Sequence, residues 1–366
     1  MSNKLQRLQS ALLDWQLDGL LLTRRDNIAW LTEGASYYVV DRAEVGVASL
    51  FVTADTVQLL APDNELPRIL AEEPMPFECE HKSYSWYQSL DSVLPQGRFG
   101  SDQRLLGYQD IQPAMVALRQ GLNTNEQHRF RALGREAAKI VEGVARQLRP
   151  GVSEYQIEAL ISAACLSVGI RPVCTLVAAD ERITAFKHPV PTRKALERMV
   201  LITLGAEREG LHVSLSRLVH FGEPDVALRQ RILSAANIHA DILSATQSGR
   251  TWSAVFADIT QSYQQWGFDG MWKSHHQGGP AGYGCRDFIV TSATEGNVEV
   301  DTAIAWNPTL NGVKCEDTFV LTQDGLENLT RSNDDWPMIT LQRGALTFQL
   351  TDWLVLPLAN QETRYE

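Results

Sequence analysis

The chain predicts an α+β fold built from two domains, on three observations. Its 366 residues exceed the size at which one hydrophobic core keeps growing. Residues 5 to about 121 alternate short helical and β-rich runs, whereas from Thr124 two long helical patterns come first and paired strands follow. Helices and strands gathered into separate runs mark α+β construction rather than a regular βαβ succession. The expected boundaries are an amino-terminal domain at 1–122, a main domain at 123–331 and a β extension at 332–366.

The opening segment is amphipathic and broken by Asp14 and Asp18, which suits a helix and strand better than the apolar core of a secretory signal. Residues 20–23 and 46–53 are β-rich. Near the boundary, Thr124 and Gln127 have capping-box spacing and open a helix through Leu148, which Pro150 and Gly151 stop. Ser153 and Gln156 repeat the box, and Ile157, Leu160, Ile161 and Ala164 recur at the spacing of a buried helix face. Met199 to Ile202 lead an apolar strand into Thr203. Residues 341–356 read as a terminal β-hairpin.

Composition removes several function classes. A formal net charge of −11 argues against nucleic acid as partner, since phosphate binding draws on clustered Lys and Arg. No stretch reaches the roughly 18 apolar residues of a membrane span. Five cysteines are odd in number and lack zinc-ligand spacing, so a reduced, cytoplasmic chain is expected.

Four motifs carry chemistry. The first is Phe186-Lys187-His188-Pro189. The second spans residues 199–222, where Thr203 and Ser214 stand eleven positions apart among Gly205, Gly210 and Arg217. The third runs from Ser274 through His275, His276, Gln277 and Gly278 to Tyr283, Cys285 and Arg286. The fourth joins Asn307-Pro308 to Lys314-Cys315-Glu316-Asp317-Thr318. In this order and combination they resemble the creatinase, prolidase and aminopeptidase P family, and residues 27–32 resemble its early N-I-x-Y-L-T-G strand, so that a strand is expected there. The resemblance implies a pita-bread catalytic domain behind a creatinase-like α/β amino-terminal domain. It also implies a dinuclear metal site of two aspartates, one histidine and two glutamates, because two divalent cations about 3.5–4 Å apart need anionic ligands.

Measured against that pattern, Thr203 and Ser214 replace the aspartates and Asn307 replaces the first glutamate. His276 and Glu316 remain, fewer than the three or more protein ligands an ion usually takes. Adjacent His275 and His276 should face opposite ways in an extended segment, and His212 or Asp317 could substitute only in principle. The expectation is therefore no metal and no cofactor. His188 is expected as the acid/base, with Glu316 as its carboxylate partner and His276 in the same catalytic group. Thr203, Ser214, Tyr283, Arg286, Asn307 and Arg42 are expected to bind substrate, Arg42 across a homodimer as the resemblance to creatinase implies. The leading reading is metal-independent hydrolysis or lytic cleavage of a C–N bond in a small amino-acid-like or short-peptide substrate. A metallopeptidase of Xaa-Pro type with an irregular site, and an inert binding protein on the same fold, are the alternatives.

Overall fold

The structure, a computed structural model, describes residues 3–331 and 335–358. By its contacts the chain divides into two compact units, one of Met1–Gln120 with Arg208–Leu211 and the other of Gly121–Glu207 with His212–Glu366. The amino-terminal unit holds a six-stranded sheet in the order Glu80–Tyr84, Val57–Pro62, Val45–Val52, Gly19–Arg24, Phe99–Ser101, Gln109–Asp110. The helix Asn3–Asp14 buries Leu5, Leu8 and Leu12, one stripe at helical spacing. Residues 27–32, expected as a strand, lie instead in the helix Arg25–Thr32. All six are buried, and an apolar segment enclosed on every side has no polar face to reveal its period.

In the second unit the helix Thr124–Gln147 is capped by Asn123, one residue before the expected cap Thr124. The Asn123 side chain accepts from the Glu126 amide at 2.8 Å and the Glu126 carboxylate accepts from the Asn123 amide at 2.8 Å. Both registers fit the motif. Asn is among the strongest caps and Glu also complements the helix dipole. The box at Ser153 and Gln156 forms as expected. Its helix, Glu154–Ser167, buries Ile157, Ile161 and Cys165, while Leu160 stays half exposed and Ala164 partly so. Glu154 shapes that face from inside, accepting from the Ala179 amide at 2.8 Å and from Arg182.

Two four-stranded sheets follow. One has the order Leu354–Leu356, Leu211–Phe221, Met199–Arg208, Arg171–Ala179; the other, wholly antiparallel, has Gly278–Ala281, Thr302–Trp306, Asp317–Thr322, Gly325–Asn328. The helices Val226–Ala245 and Trp252–Gln265 pack Ile232, Ile238, Val255 and Ile259 into one core with Ile304, Trp306 and Phe319. The terminal hairpin of Met338–Arg343 and Leu346–Thr351 adds Phe348 and Leu350 to that same core. Leu354–Leu356 then pairs parallel with Val219–Phe221. The segment expected as an extension thus completes a sheet.

Candidate active site

The strands Met199–Arg208 and Leu211–Phe221 present Thr203 and Ser214, both buried. The two-residue strand Val313–Lys314, paired with Thr309–Leu310, delivers Lys314, and Glu316 precedes the strand Asp317–Thr322. Arg286 lies in the loop beyond Gly278–Ala281. The double glycine before that loop is needed for close approach. A Cβ on Gly278, whose φ is +105°, would meet the Ala305 carbonyl oxygen at 2.1 Å.

These elements converge on one carboxylate. Glu316 Oε1 accepts from Arg286 at 2.9 Å, and Oε2 accepts from the Lys314 ammonium at 2.8 Å and the Ser216 hydroxyl at 2.7 Å. The guanidinium also donates to the Ser214 hydroxyl at 3.0 Å, and Ser216 meets Thr203 at 2.6 Å. Burial raises the Glu316 pKa, but the neighbouring Lys314 and Arg286 charges outweigh it and bring it down to about 2. At neutral pH it is a locked anion, not a proton carrier.

Beside it stand three imidazoles. His188 Nε2 and His275 Nε2 lie 3.1 Å apart, and His275 Nδ1 is 2.5 Å from the His276 carbonyl oxygen. A carbonyl only accepts, so His275 carries its proton on Nδ1 and accepts on Nε2, and the hydrogen between the rings belongs to His188 Nε2. That leaves the His188 Nδ1 lone pair free. The His275 and His276 rings stack at 4.3 Å with 25° between their planes. The expected opposite facing fails because the His275 side chain folds forward onto its neighbour's carbonyl. Burial, then the Lys314 charge, lowers the His188 pKa against a smaller opposing pull from Glu316. Burial likewise brings His275 to about 3, with Lys314 and His276 assisting, and His276 to about 4, with Arg286 assisting.

The structure assembles Thr203, Ser214, Arg286 and Glu316 into one bonded network. Asn307 is buried with its Oδ1 unpartnered, and His276 Nδ1 is likewise buried without a partner. Three expectations need correction. Glu316 does not pair with His188, since each has other partners. Tyr283 is buried with its hydroxyl already engaged rather than open to a substrate, donating to Glu126 at 2.6 Å and accepting from Arg129 at 3.2 Å. Asp317 is no spare ligand, because Arg217 and Thr330 hold it at 2.9 and 2.8 Å. Arg42 sits exposed in the amino-terminal unit. Besides Ser216 and His275, the motif reading left Lys314 out of the site. The i, i+2 relation of Lys314 to Glu316 in extended backbone was the available signal.

The profile of metallopeptidase family M24 matches residues 128–323, and that of the creatinase/prolidase amino-terminal domain matches residues 4–115. The chain belongs to metallopeptidase family M24. The Xaa-Pro dipeptidase of Pyrococcus horikoshii is 18% identical over 352 residues, covering 91% of this chain and 98% of that protein. The Xaa-Pro dipeptidase of Pyrococcus furiosus is 21% identical over 353 residues, covering 91% and 99%. The crystal structure of the Pyrococcus horikoshii OT3 prolidase superposes with a TM-score of 0.77 at 17% identity, over 91% of this chain and 99% of that one. The α+β pita-bread architecture is thus that of the M24 fold. The metal centre the family implies does not fit the M24 positions of this chain. Thr203, Ser214 and Asn307 are neutral, and the surviving Glu316 is already bonded to two cations. Among the described residues, His188, His275 and His276 do bring three nitrogen donors within 4.8 Å of one another, with Lys314 and Arg286 as positive neighbours.

Proposed function

We propose that this chain hydrolyses the C–N bond of a small dipeptide-like substrate without the dinuclear centre of its family. The relatives' names, Xaa-Pro dipeptidase and prolidase, favour a peptide amide among the small amino-acid-like or short-peptide substrates that the sequence alone left open. The observation that carries the catalytic reading is the His275–His188 contact, which fixes the His188 tautomer with a free Nδ1 lone pair at an exposed position. Such a nitrogen takes a proton from water as the hydroxide oxygen attacks the amide carbon. It then returns that proton to the departing nitrogen.

The reading is tested by incubating the purified protein with a panel of Xaa-Pro and other dipeptides, and with creatine, and measuring released amine. Turnover of a dipeptide that survives EDTA is expected, falling about 10²–10⁴-fold in His188→Ala. Cleavage of creatine alone would return the creatinase-like reading. Loss of dipeptide turnover with EDTA would give the reaction to a metal, and no turnover of anything would leave the binding-protein reading.

A further inference from the structure

The same network does more than lose a metal. Arg286 bridges Ser214 and Glu316 at 3.0 and 2.9 Å, two of the positions from which the family resemblance draws anionic ligands. Lys314 takes the other Glu316 oxygen at 2.8 Å. Both side chains are buried, at 10% and 4% exposure. A cationic side chain that spans two ligand positions occupies the coordination space of an ion. Lys314 and Arg286 give +2 against −1 from Glu316, so the locked cluster carries +1 before anything binds. Each of its charged donors also has capacity left over. The Arg286 Nε–H is buried without a partner. The Lys314 ammonium, with three N–H groups, spends one on Glu316. Unspent buried donors beside a net positive charge suit an oxyanion and repel a divalent cation.

We propose that Arg286 and Lys314 are resident cations that stand in for the divalent ions of the M24 site, excluding metal from this cluster and offering their unspent N–H groups to an oxyanion. Glu316 is then their counterion, and its two oxygens hold them in place. The oxyanion arm rests on the hydrolase reading above, where Lys314 would meet the charge that develops on the amide oxygen. Metal exclusion does not depend on that reading.

The test is metal uptake, read without substrate. The whole protein is dialysed against Mn²⁺, Co²⁺ or Zn²⁺, freed of unbound ion and analysed for metal, with thermal unfolding in parallel. The wild type should hold well under one equivalent and show no shift in melting temperature. Thr203→Asp, Ser214→Asp and Asn307→Glu together restore the carboxylates. That variant should bind at least tenfold more weakly with Arg286 and Lys314 intact than with Arg286→Met and Lys314→Met added. Stoichiometric metal in the wild type, whether on Glu316 or on the imidazoles, would overturn the proposal, as would equal uptake by the two restored variants. The wild-type measurement decides the matter even where the variants fail to fold. With a dipeptide substrate in hand, Lys314→Met should lower kcat about 10²–10³-fold with KM nearly unchanged, the signature of a group that acts in the transition state. An effect confined to KM would remove Lys314 from the oxyanion.

Discussion

An imidazole that gives its Nδ1 proton to a backbone carbonyl, as His275 does to His276, has one nitrogen left with which to accept. His188 must then be the donor across the 3.1 Å contact, and its free nitrogen is a base at any pH where the ring is neutral. Burial and the Lys314 charge depress its pKa, so the acidic limb of kcat/KM should lie below the ordinary histidine value of about 6.5. Removing the cation by Lys314→Met should move that limb upward. Removing the anion by Glu316→Gln should move it downward, because Glu316 is the charge that favours the protonated ring. Titration of the His188 C2 proton by NMR, assigned by its absence in His188→Ala, checks both signs without a substrate. A limb indifferent to Lys314 would place the ammonium out of reach of the base. Most residues of the site were legible because the family motifs fix their order. Their pairing was not: Glu316 could be placed near a histidine, but which oxygen meets which cation depends on the Arg286 loop closing over residues thirty positions away in the chain.

At the scale of elements, local rules held where the pattern had two distinct faces and slipped where it did not. The amphipathic first helix and the capped helices announced themselves, with one cap displaced by a residue because Asn123 and Thr124 compete for it. The Arg25–Thr32 helix did not, being buried on all sides. The Gly278–Gly279 pair shows what an element needs for function. Its strand pairs Gly278 with Trp306, and only a missing Cβ lets the backbone pass the Ala305 carbonyl. Gly278→Ala should cost several kcal/mol, on the order of 3 or more from left-handed strain and backbone overlap combined. Asn123→Ala, which removes a cap, should cost about 1 kcal/mol. Urea unfolding of the two variants tests the ranking, and an unperturbed Gly278→Ala would mean the strand can shift aside cheaply.

Over the whole molecule, the placement of histidines sets the response to acid. His239 is buried with its Nε2 unpartnered and its pKa pushed down to about 3 by burial, against a small pull from Glu316. His275 and His276 sit at about 3 and 4. In the unfolded chain each returns to about 6.5. Between those values the unfolded state binds more protons than the native one, so stability rises with pH and is lost as pH falls below about 6.5. Glu316, at about 2 when folded, stabilises the native state above its unfolded value of about 4.3 and loses that contribution only as pH falls below it. Among the groups whose folded pKa lies below the unfolded value, the window from pH 7 to 5 belongs to the histidines. The urea midpoint of the carboxy-terminal unit's transition should fall steadily across it. His239→Phe, which fills the site beside Phe319 without a titrating group, should flatten the slope by about one proton's worth, close to 1.4 kcal/mol per pH unit. The sequence offered no sign of this, because His239 lies in the helix Val226–Ala245 with nothing local to mark it as fully enclosed; enclosure comes from the sheet strand that carries Phe319. A slope unchanged by His239→Phe would shift the acid sensitivity to His275 and His276, and with it the pH dependence of stability to the site itself.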